Sequence, residues 1–239
     1  MKRFGLIGYP ITGSTSPALF TRAYNGKWPY DLIEDPDFES AWNKFMSSYH
    51  AVNVTAPYKE TAAARVKAEG GWLSQESEVM GAINIAVKTP EGLKGYNSDF
   101  LGVRKVLADN GLGKGSVAIV AGYGGAGKAA FAAARDLGMD VTVCNRTRKA
   151  FPAAEGEGQE FSRPLEELPL LVSVADILIY TLPVPVPELE GLSCPMILEA
   201  NYRTPCLENA TEHYIHGSVW HRAQGQAGYP LMTGEEPLL

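Results

Sequence analysis

Cysteine is scarce in this 239-residue chain: there are three, Cys144, Cys194 and Cys206, and none form a C-x-x-C pair. An odd number at irregular separations makes neither a disulfide framework nor a thiolate metal site, and fits free thiols in a reducing cytoplasm. Histidine is nearly as rare, four in all, with His213, His216 and His221 close together. No carboxylate or thiol completes a recognisable ligand spacing around them, so no metal is expected. Long apolar runs are also missing. No stretch reaches the roughly 20 residues of a membrane span. The opening segment MKRFGLIGYP is too short, and too broken by Gly5 and Gly8, for a signal peptide, and it reads as a first strand. An excess of positive charge is lacking as well. The net charge of −6 argues against nucleic acid or an anionic membrane as the main partner. Small anionic ligands, which answer to local donors, stay open.

With 45% hydrophobic and 20% charged residues, the chain has the composition of a soluble globular enzyme. Its length suffices for one large core or two smaller ones. The most informative stretch is Ser116 to Thr147. Val117 to Ala121 is a continuous apolar run, the pattern of a strand buried on both faces of a parallel sheet. Gly122, Gly124 and Gly127 then give G-x-G-x-x-G, and an Ala-rich helix runs to about Leu137, where Gly138 is placed to stop it. Val141 to Cys144 is the next buried strand. These glycines therefore sit at the strand-to-helix turn of a βαβ unit, where a pyrophosphate can lie on the helix N-terminus.

The end of that second strand bears on which nucleotide. An acidic residue there would accept the ribose 2′-OH of NAD, but this chain has Asn145-Arg146-Thr147, then Arg148 and Lys149. Guanidinium and hydroxyl donors bind a 2′-phosphate with charge-assisted hydrogen bonds of roughly 1.5–3 kcal/mol each, which favours NADP. Gly122 to Lys128 also reads G-x-x-x-x-G-K, but Ala129 stands where a triphosphate-binding loop needs Ser or Thr to hold magnesium. A Gly-rich turn that binds nothing is the plain alternative.

Taken in order, Phe4 to Ile7 is a strand leading to Ser14-Thr15-Ser16-Pro17, with Ser16 as helix N-cap and Pro17 behind it. Hydroxyls at Ser14 and Ser16 fall beyond a strand's carboxyl end, where open α/β sheets bind ligands, although capping alone accounts for them equally well. Tyr30 to Ile33 is a strand and Asp37 to Met46 a helix. Ala51 to Val54 is a third strand that runs into Thr55-Ala56-Pro57-Tyr58-Lys59 and a helix through about Val66. A lysine at a helix N-terminus is locally unfavourable, which a functional role would explain, with a solvated surface lysine as the plain alternative. A short helix at Ser77 to Met80 leads to Gly81-Ala82-Ile83-Asn84 and a hairpin closed at Thr89-Pro90-Glu91-Gly92. Asp99 falls at or near the N-cap of a helix from about Phe100 to Asn110, and capping alone would explain it. Ala153 to Phe161 reads as a loop, Ala175 to Thr181 as a buried strand, Met196 to Ala200 as the last parallel strand, and Tyr202 to His216 as irregular. Gln224 to Thr233 reads as a short final helix or turn. The fold class is α/β, with two domains and a cleft between them.

The motifs in this order resemble one family, the shikimate dehydrogenases, across nearly the whole chain. Gly5-Leu6-Ile7-Gly8 through Ser14-x-Ser16-Pro17 is similar to its opening signature. Asn53-Val54-Thr55-x-Pro57-Tyr58-Lys59 resembles its catalytic-lysine motif, and Gly81-Ala82-x-Asn84 the segment after it. Gly95-x-Asn97-Ser98-Asp99-x-x-Gly102 resembles its G-x-N-T-D motif, with Ser98 for Thr. Gly122-x-Gly124-Gly125-Ala126 and Asn145-Arg146-Thr147 are similar to its NADP motifs. The chain departs from the pattern at Ile85, where a hydroxyl residue is usual, and at Tyr180-Thr181-Leu182-Pro183, which replaces Asn-Ala-Thr-Pro. It also departs in the basic residues after Thr147 and in a shortened 202–217 region.

The resemblance implies an NADP-dependent enzyme that reduces 3-dehydroshikimate to shikimate in the cytoplasm, as a monomer or homodimer. It implies a substrate domain of residues 1–100 plus about 218–239, and an NADP-binding Rossmann-like domain of residues 101–217. Lys59 and Asp99 would form the catalytic pair, with Ser14, Ser16, Thr55, Asn84, Gln224 and Tyr202 on the substrate. Gly122, Gly124, Gly125, Ala126, Asn145, Arg146 and Thr147 would hold the cofactor. A quinate-type substrate with NAD, or a nucleotide-binding regulator without catalysis, are the rival readings.

Overall fold

Strand β1 (Phe4–Gly8) is buried along its whole length. It is followed by α1 (Ser16–Ala23), β2 (Tyr30–Glu34), α2 (Phe38–Ser48), β3 (Ala51–Val54), α3 (Lys59–Ala68), β4 (Trp72–Leu73), α4 (Gln75–Met80), β5 (Ile85–Thr89) and β6 (Gly92–Tyr96). The computed structural model describes residues 1–152, 158–189 and 195–238. The six strands form one mixed sheet in the order β2-β1-β3-β5-β6-β4. β1 runs parallel to β2 and β3, while β5 is antiparallel to β3 and β6. The two-residue strand period sends side chains to alternate faces. Ile7, Val52 and Val54 join Trp42 and Phe45 in one cluster, whereas Phe4, Leu6 and Ala51 join Phe20 and Tyr229 in another. Helix α2 shows why these elements form where they do. Asp37 accepts hydrogen bonds from the Glu39 and Ser40 amides at 3.2 Å, and Phe38, Ala41, Trp42 and Phe45 make a helical apolar stripe, all buried.

The second set begins with α5 (Ser98–Asp109), β7 (Val117–Ala121), α6 (Gly125–Asp136), β8 (Asp140–Cys144), β9 (Ala150–Pro152) and β10 (Gln159–Phe161). Then come α7 (Leu168–Val172), β11 (Ile177–Tyr180), β12 (Ile197–Glu199), β13 (Tyr214–Ile215) and α8 (Gly217–Thr233). The sheet order is β13-β12-β11-β7-β8, every pair parallel. The chain leaves β7 to one side for β8 and comes back on the other for β11, so the strand order reverses beside β7's carboxyl end. The chain divides into two compact units, Met1–Ser98 with Gln224–Leu239, and Asp99–Ala223. Among the described residues, no helix is long and apolar enough to cross a membrane.

Several local expectations change. Ser16 is the first helical residue and not the N-cap, which is Thr15. Helix α5 starts at Ser98, so Asp99 sits inside the first turn. Part of the expected 153–161 loop is strand: Gln159–Phe161 pairs antiparallel with Ala150–Pro152, while residues 153–157 lie outside the described residues. β12 is not the last parallel strand, since β13 pairs beyond it. The final helix begins at Gly217 and runs 17 residues. Its start is marked by His216, whose Nδ1 accepts the Ser218 amide at 3.1 Å and acts as a cap. The glycines and Pro230 within it lower its intrinsic propensity and hide it from periodicity.

Asp37→Ala removes the acceptor for two helix-end amides and should lower unfolding stability by about 1 kcal/mol. Asp37→Ser should be nearly neutral. Urea titration of both variants measures this directly.

Candidate active site

In the first unit, hydrogen bonds converge on Asn84, which is 6% exposed. Its backbone N–H donates to the Tyr96 carbonyl at 3.0 Å, and its own carbonyl accepts the Val54 amide at 2.8 Å. Its side-chain Oδ1 accepts the Ser98 amide at 2.7 Å, and its Nδ2 donates to Ser98 Oγ at 3.0 Å. The preceding residue, Ile83, donates its amide to the Lys59 carbonyl at 3.0 Å. Together these bonds fix three chain ends: the exit of β3, the start of α3 at Lys59, and the start of α5 ahead of Asp99. Lys59 occupies the first helical position of α3, after Tyr58, with no side-chain cap. Asp99 is 8% exposed, and Asn97 and Ser98 are 3% exposed. The order at this junction follows from the cost of leaving such buried polar groups unpaired.

A second group of polar residues extends from this node. Asn53 is a polar residue within an otherwise buried strand. It donates Nδ2 to the Asn84 carbonyl at 3.3 Å and accepts the Tyr30 hydroxyl at 2.8 Å. Burial pushes the Tyr30 phenol well above its ordinary pKa range, the nearby Tyr229 adds to this, and a hydrogen bond with Ser16 opposes it. Ser14 Oγ accepts the Ser16 amide at 3.2 Å and donates to Ser16 Oγ at 3.1 Å. Ser14 Oγ thus takes the amide of the first helical residue, so a capping part stands for Ser14, while Ser16 lies inside the helix. Thr55 donates its amide to the Ile7 carbonyl at 2.9 Å. Its methyl lies 2.5 Å from where a Cβ on Gly8 would be, which requires glycine there.

Gln224 lies on α8, one turn before Gly228. A Cβ on Gly228 would come within 2.8 Å of Ile85 Cδ1 and of Ser98 Cβ, so the helix rests directly on β5 and on Ser98. Residues four apart share a helix face, so Gln224 is on this same side. Ile85, fully buried, is accommodated by the missing side chain at 228.

The nucleotide-type motifs lie in the second unit. Gly122 has φ +96°, a conformation L side chains rarely adopt, and its amide donates to the Cys144 carbonyl at 2.8 Å. A Cβ on Gly127 would meet the Gly122 carbonyl oxygen at 2.1 Å, so helix and strand approach as closely as backbones allow. Thr181 packs into the same gap and donates Oγ1 to the Ala121 carbonyl at 2.8 Å. This gives a physical role to one residue of Tyr180-Thr181-Leu182-Pro183. Gly124 and Gly125 have open space where a Cβ would be, and α6 starts there without a side-chain cap. A helix start without a side-chain cap, bearing glycines with room above them, suits a phosphate. Ala129 is buried in α6, away from any magnesium-binding role.

Asn145 joins this turn to the end of β8. Its Oδ1 accepts the Tyr123 amide at 3.2 Å and its Nδ2 donates to the Thr147 carbonyl at 2.7 Å. Anchors on either side, Asn145 N to Arg163 O at 2.9 Å and Lys149 N to Ser162 Oγ at 2.9 Å, raise residues 146–148 as an arch. Arg146 and Thr147 are exposed on it, and the Arg148 guanidinium lies 3.9 Å over the Phe161 ring. These donors fit a 2′-phosphate and offer no carboxylate to a free ribose hydroxyl.

Tyr202 stacks on His221 with centroids 4.8 Å apart, and Trp220 donates its indole N–H to the Asp99 carbonyl at 2.9 Å. The segment bearing Tyr202 is anchored by Glu199, fully buried, which accepts the Cys206 amide at 2.7 Å, the Leu207 amide at 3.1 Å and the Tyr214 hydroxyl at 2.7 Å. Sequence reasoning gave no separate site role to Tyr30, Asn53 or His221, although Asn53 opens the motif that ends at Lys59. The polar interruption of the apolar run Ala51 to Val54 is the signal that marks Asn53.

A Gly-rich strand-to-helix turn at a sheet's reversal point, with an arch of donors beside it, defines a dinucleotide-binding α/β protein. Comparison with known proteins narrows this. Residues 6–86 match the model of the shikimate dehydrogenase substrate binding domain. The shikimate dehydrogenase (NADP(+)) of Archaeoglobus fulgidus is 29% identical over 269 residues, covering 99% of this chain and 94% of the relative. That of Halobacterium salinarum is 33% identical over 187 residues, covering 75% of this chain and 68% of the relative. The chain belongs to the shikimate dehydrogenase family. Among solved structures, shikimate 5-dehydrogenase from Thermus thermophilus, in complex with NADP(H) and shikimate, matches with a TM-score of 0.79 and 26% identity, over 99% of this chain and 95% of the other.

Asn84→Ala strands the buried Ser98 amide without its acceptor. A loss of about 1–3 kcal/mol is expected, seen as a fall in Tm of roughly 2–12 °C in a thermal melt.

Proposed function

We propose that this chain catalyses the reversible, NADP-dependent reduction of 3-dehydroshikimate to shikimate, a ring ketone to a ring CH–OH, in the route to chorismate and the aromatic amino acids. The observation that carries this reading is the Asn84 node, which ties the lysine at the start of α3 to the residue before Asp99, in a chain of this family. Residues 1–100 plus about 218–239 serve as the substrate domain and residues 101–217 as the NADP-binding domain. The enzyme works in the cytoplasm as a monomer or homodimer, without nucleic-acid or membrane partners.

When bound, the nicotinamide cofactor supplies or accepts the hydride. Negative charge then grows on the ketone oxygen, and Lys59, as an ammonium, donates the proton that neutralises it. The Asp99 carboxylate accepts a hydrogen bond and orients the lysine or the substrate hydroxyl. General acid–base assistance of this kind contributes on the order of 10²–10⁴ in rate. Ser14, Ser16, Thr55, Asn84, Gln224 and Tyr202 hold the carboxylate and hydroxyls of the ring. The Asn84 NH₂ carries two hydrogens, so it can bond Ser98 and a ligand together. A site of such donors rejects ring analogues that lack the matching groups, because its own polar groups would be left unpaired. The backbone of Gly122, Gly124, Gly125 and Ala126 would cradle the diphosphate. Arg146 and Thr147, on the arch set by Asn145, would bind the 2′-phosphate.

Lys59→Ala should lower kcat by about 10²–10⁴ with an unchanged thermal melt. Near-normal turnover would remove Lys59 from the proton transfer. Arg146→Ala should raise KM for NADP by about 10- to 100-fold with little change in kcat or in KM for shikimate. An unchanged cofactor KM would refute the 2′-phosphate assignment.

A further inference from the structure

Three acidic residues, Glu34, Asp35 and Asp37, stand at the carboxyl end of β2, and they divide their work. Asp37 caps α2, and Asp35 accepts the Ser40 hydroxyl at 2.6 Å and the Lys44 ammonium at 2.9 Å, so both serve the helix that follows. Glu34 reaches the other way. Its Oε1 accepts the Ile11 amide at 3.2 Å and its Oε2 accepts the Thr12 hydroxyl at 2.6 Å. The strand arrangement makes this possible: β1 and β2 run parallel with Gly8 opposite Glu34, so the segment leaving β1 passes the end of β2.

That segment, residues 9–15, has turns and bends but no helix or strand, and it is held at separate points. The Tyr9 amide donates to the Ala56 carbonyl at 3.2 Å, Glu34 holds Ile11 and Thr12, and the Ser14 amide donates to the Ile11 carbonyl at 2.8 Å. Ile11, 6% exposed, closes over Gly8 together with Thr55: their Cγ2 atoms lie 2.7 and 2.5 Å from where a Cβ on Gly8 would be. The residue that Glu34 grips is therefore the carbonyl partner of Ser14 and a neighbour of Thr55 over the same glycine.

We infer that Glu34 is a positioning residue for the substrate: through Ile11 and Thr12 its carboxylate holds the segment between β1 and α1 in the shape that presents the Ser14 and Ser16 hydroxyls. This rests on the substrate-binding roles proposed above for those serines, and it supplies what sets them in place. An irregular segment that must order itself on binding subtracts that cost from affinity, whereas one already ordered does not. Loss of Glu34 therefore falls on substrate affinity and spares the chemical step and the cofactor. A second negative charge is of no help to an anionic substrate, so the hydrogen bonds to Ile11 and Thr12 are what matter. Glutamine keeps both in neutral form, its Oε1 for the Ile11 amide and its NH₂ for the Thr12 oxygen, since a hydroxyl accepts as well as donates.

Two measurements test this. The first is steady-state kinetics with shikimate and NADP. Glu34→Ala should raise KM for shikimate by about 5- to 30-fold, with kcat and KM for NADP within about threefold of the wild type. Glu34→Gln should bring KM for shikimate back to within about threefold of the wild type. In a chain carrying both Ser14→Ala and Ser16→Ala, adding Glu34→Ala should change KM by less than about twofold, because the residues it acts through are gone. An unmoved KM in Glu34→Ala, a Gln variant as impaired as Ala, or an undiminished effect without the serines overturns the inference. The second measurement needs no substrate. Hydrogen–deuterium exchange of a peptide spanning residues 9–16 should quicken by at least about threefold in Glu34→Ala and return to the wild-type rate in Glu34→Gln. Unchanged exchange in Glu34→Ala overturns the inference. Should exchange respond in this way while the wild-type protein fails to oxidise shikimate, the hold on this segment stands and the substrate assignment falls.

Discussion

The first unit depends on the burial of one carboxamide. Asn84 brings an amide donor and a carbonyl acceptor to a place almost without solvent, and both are used on Ser98. Its backbone is used as well, on Val54 and Tyr96, so a single residue fixes the relative register of β3, β5, β6 and the start of α5. An unpaired polar group in such a place costs about 1–3 kcal/mol, which makes any slip of these elements expensive. The Ile83 amide extends the same lattice to the Lys59 carbonyl. On the proposed mechanism, the lysine is positioned by backbone and amide bonds behind it.

In the second unit the governing constraint is steric. Gly122 and Gly127 approach so closely that a methyl group at 127 would overlap a carbonyl oxygen, and Thr181 fills the remaining space. The turn is held in one shape by packing below, while Gly124 and Gly125 leave its upper surface without side chains. Asn145 then links that turn to the arch bearing Arg146 and Thr147, so the Gly-rich turn and the residues proposed to bind the 2′-phosphate are set by one hydrogen-bonded loop. Tyr123 adds weight from the side, its ring packed against Phe131 and Phe151, with burial pushing its phenol up to about 12.

Periodicity and punctuation in the sequence reached most of this. Continuous apolar runs located β1, β3, β7 and β11, Gly138 marked the end of α6, and Asp37 marked the start of α2, because each signal is local. The start of α8 was not legible. Its cap is a histidine ring and its interior holds glycines that let Ile85 and Ser98 come close, a tertiary reason invisible along the chain. Asn84, Lys59 and Asp99 were legible as motif residues, but Asn84's part in tying their chain segments together was not, since it depends on contacts between residues far apart in the chain. The Tyr202–His221 stack and the Glu199 anchor escaped notice for the same reason: the segment between them has little regular structure for a pattern to report.

The most direct check on the whole account is the rate of reduced-nicotinamide formation, followed by absorbance, when the unmodified protein is given shikimate with NADP, and again with quinate or with NAD. The account expects shikimate with NADP to be preferred in kcat/KM by at least about tenfold over each alternative, the advantage of one charge-assisted contact. Equal or greater efficiency with NAD or quinate, or no reduction of the cofactor in any combination, would contradict it.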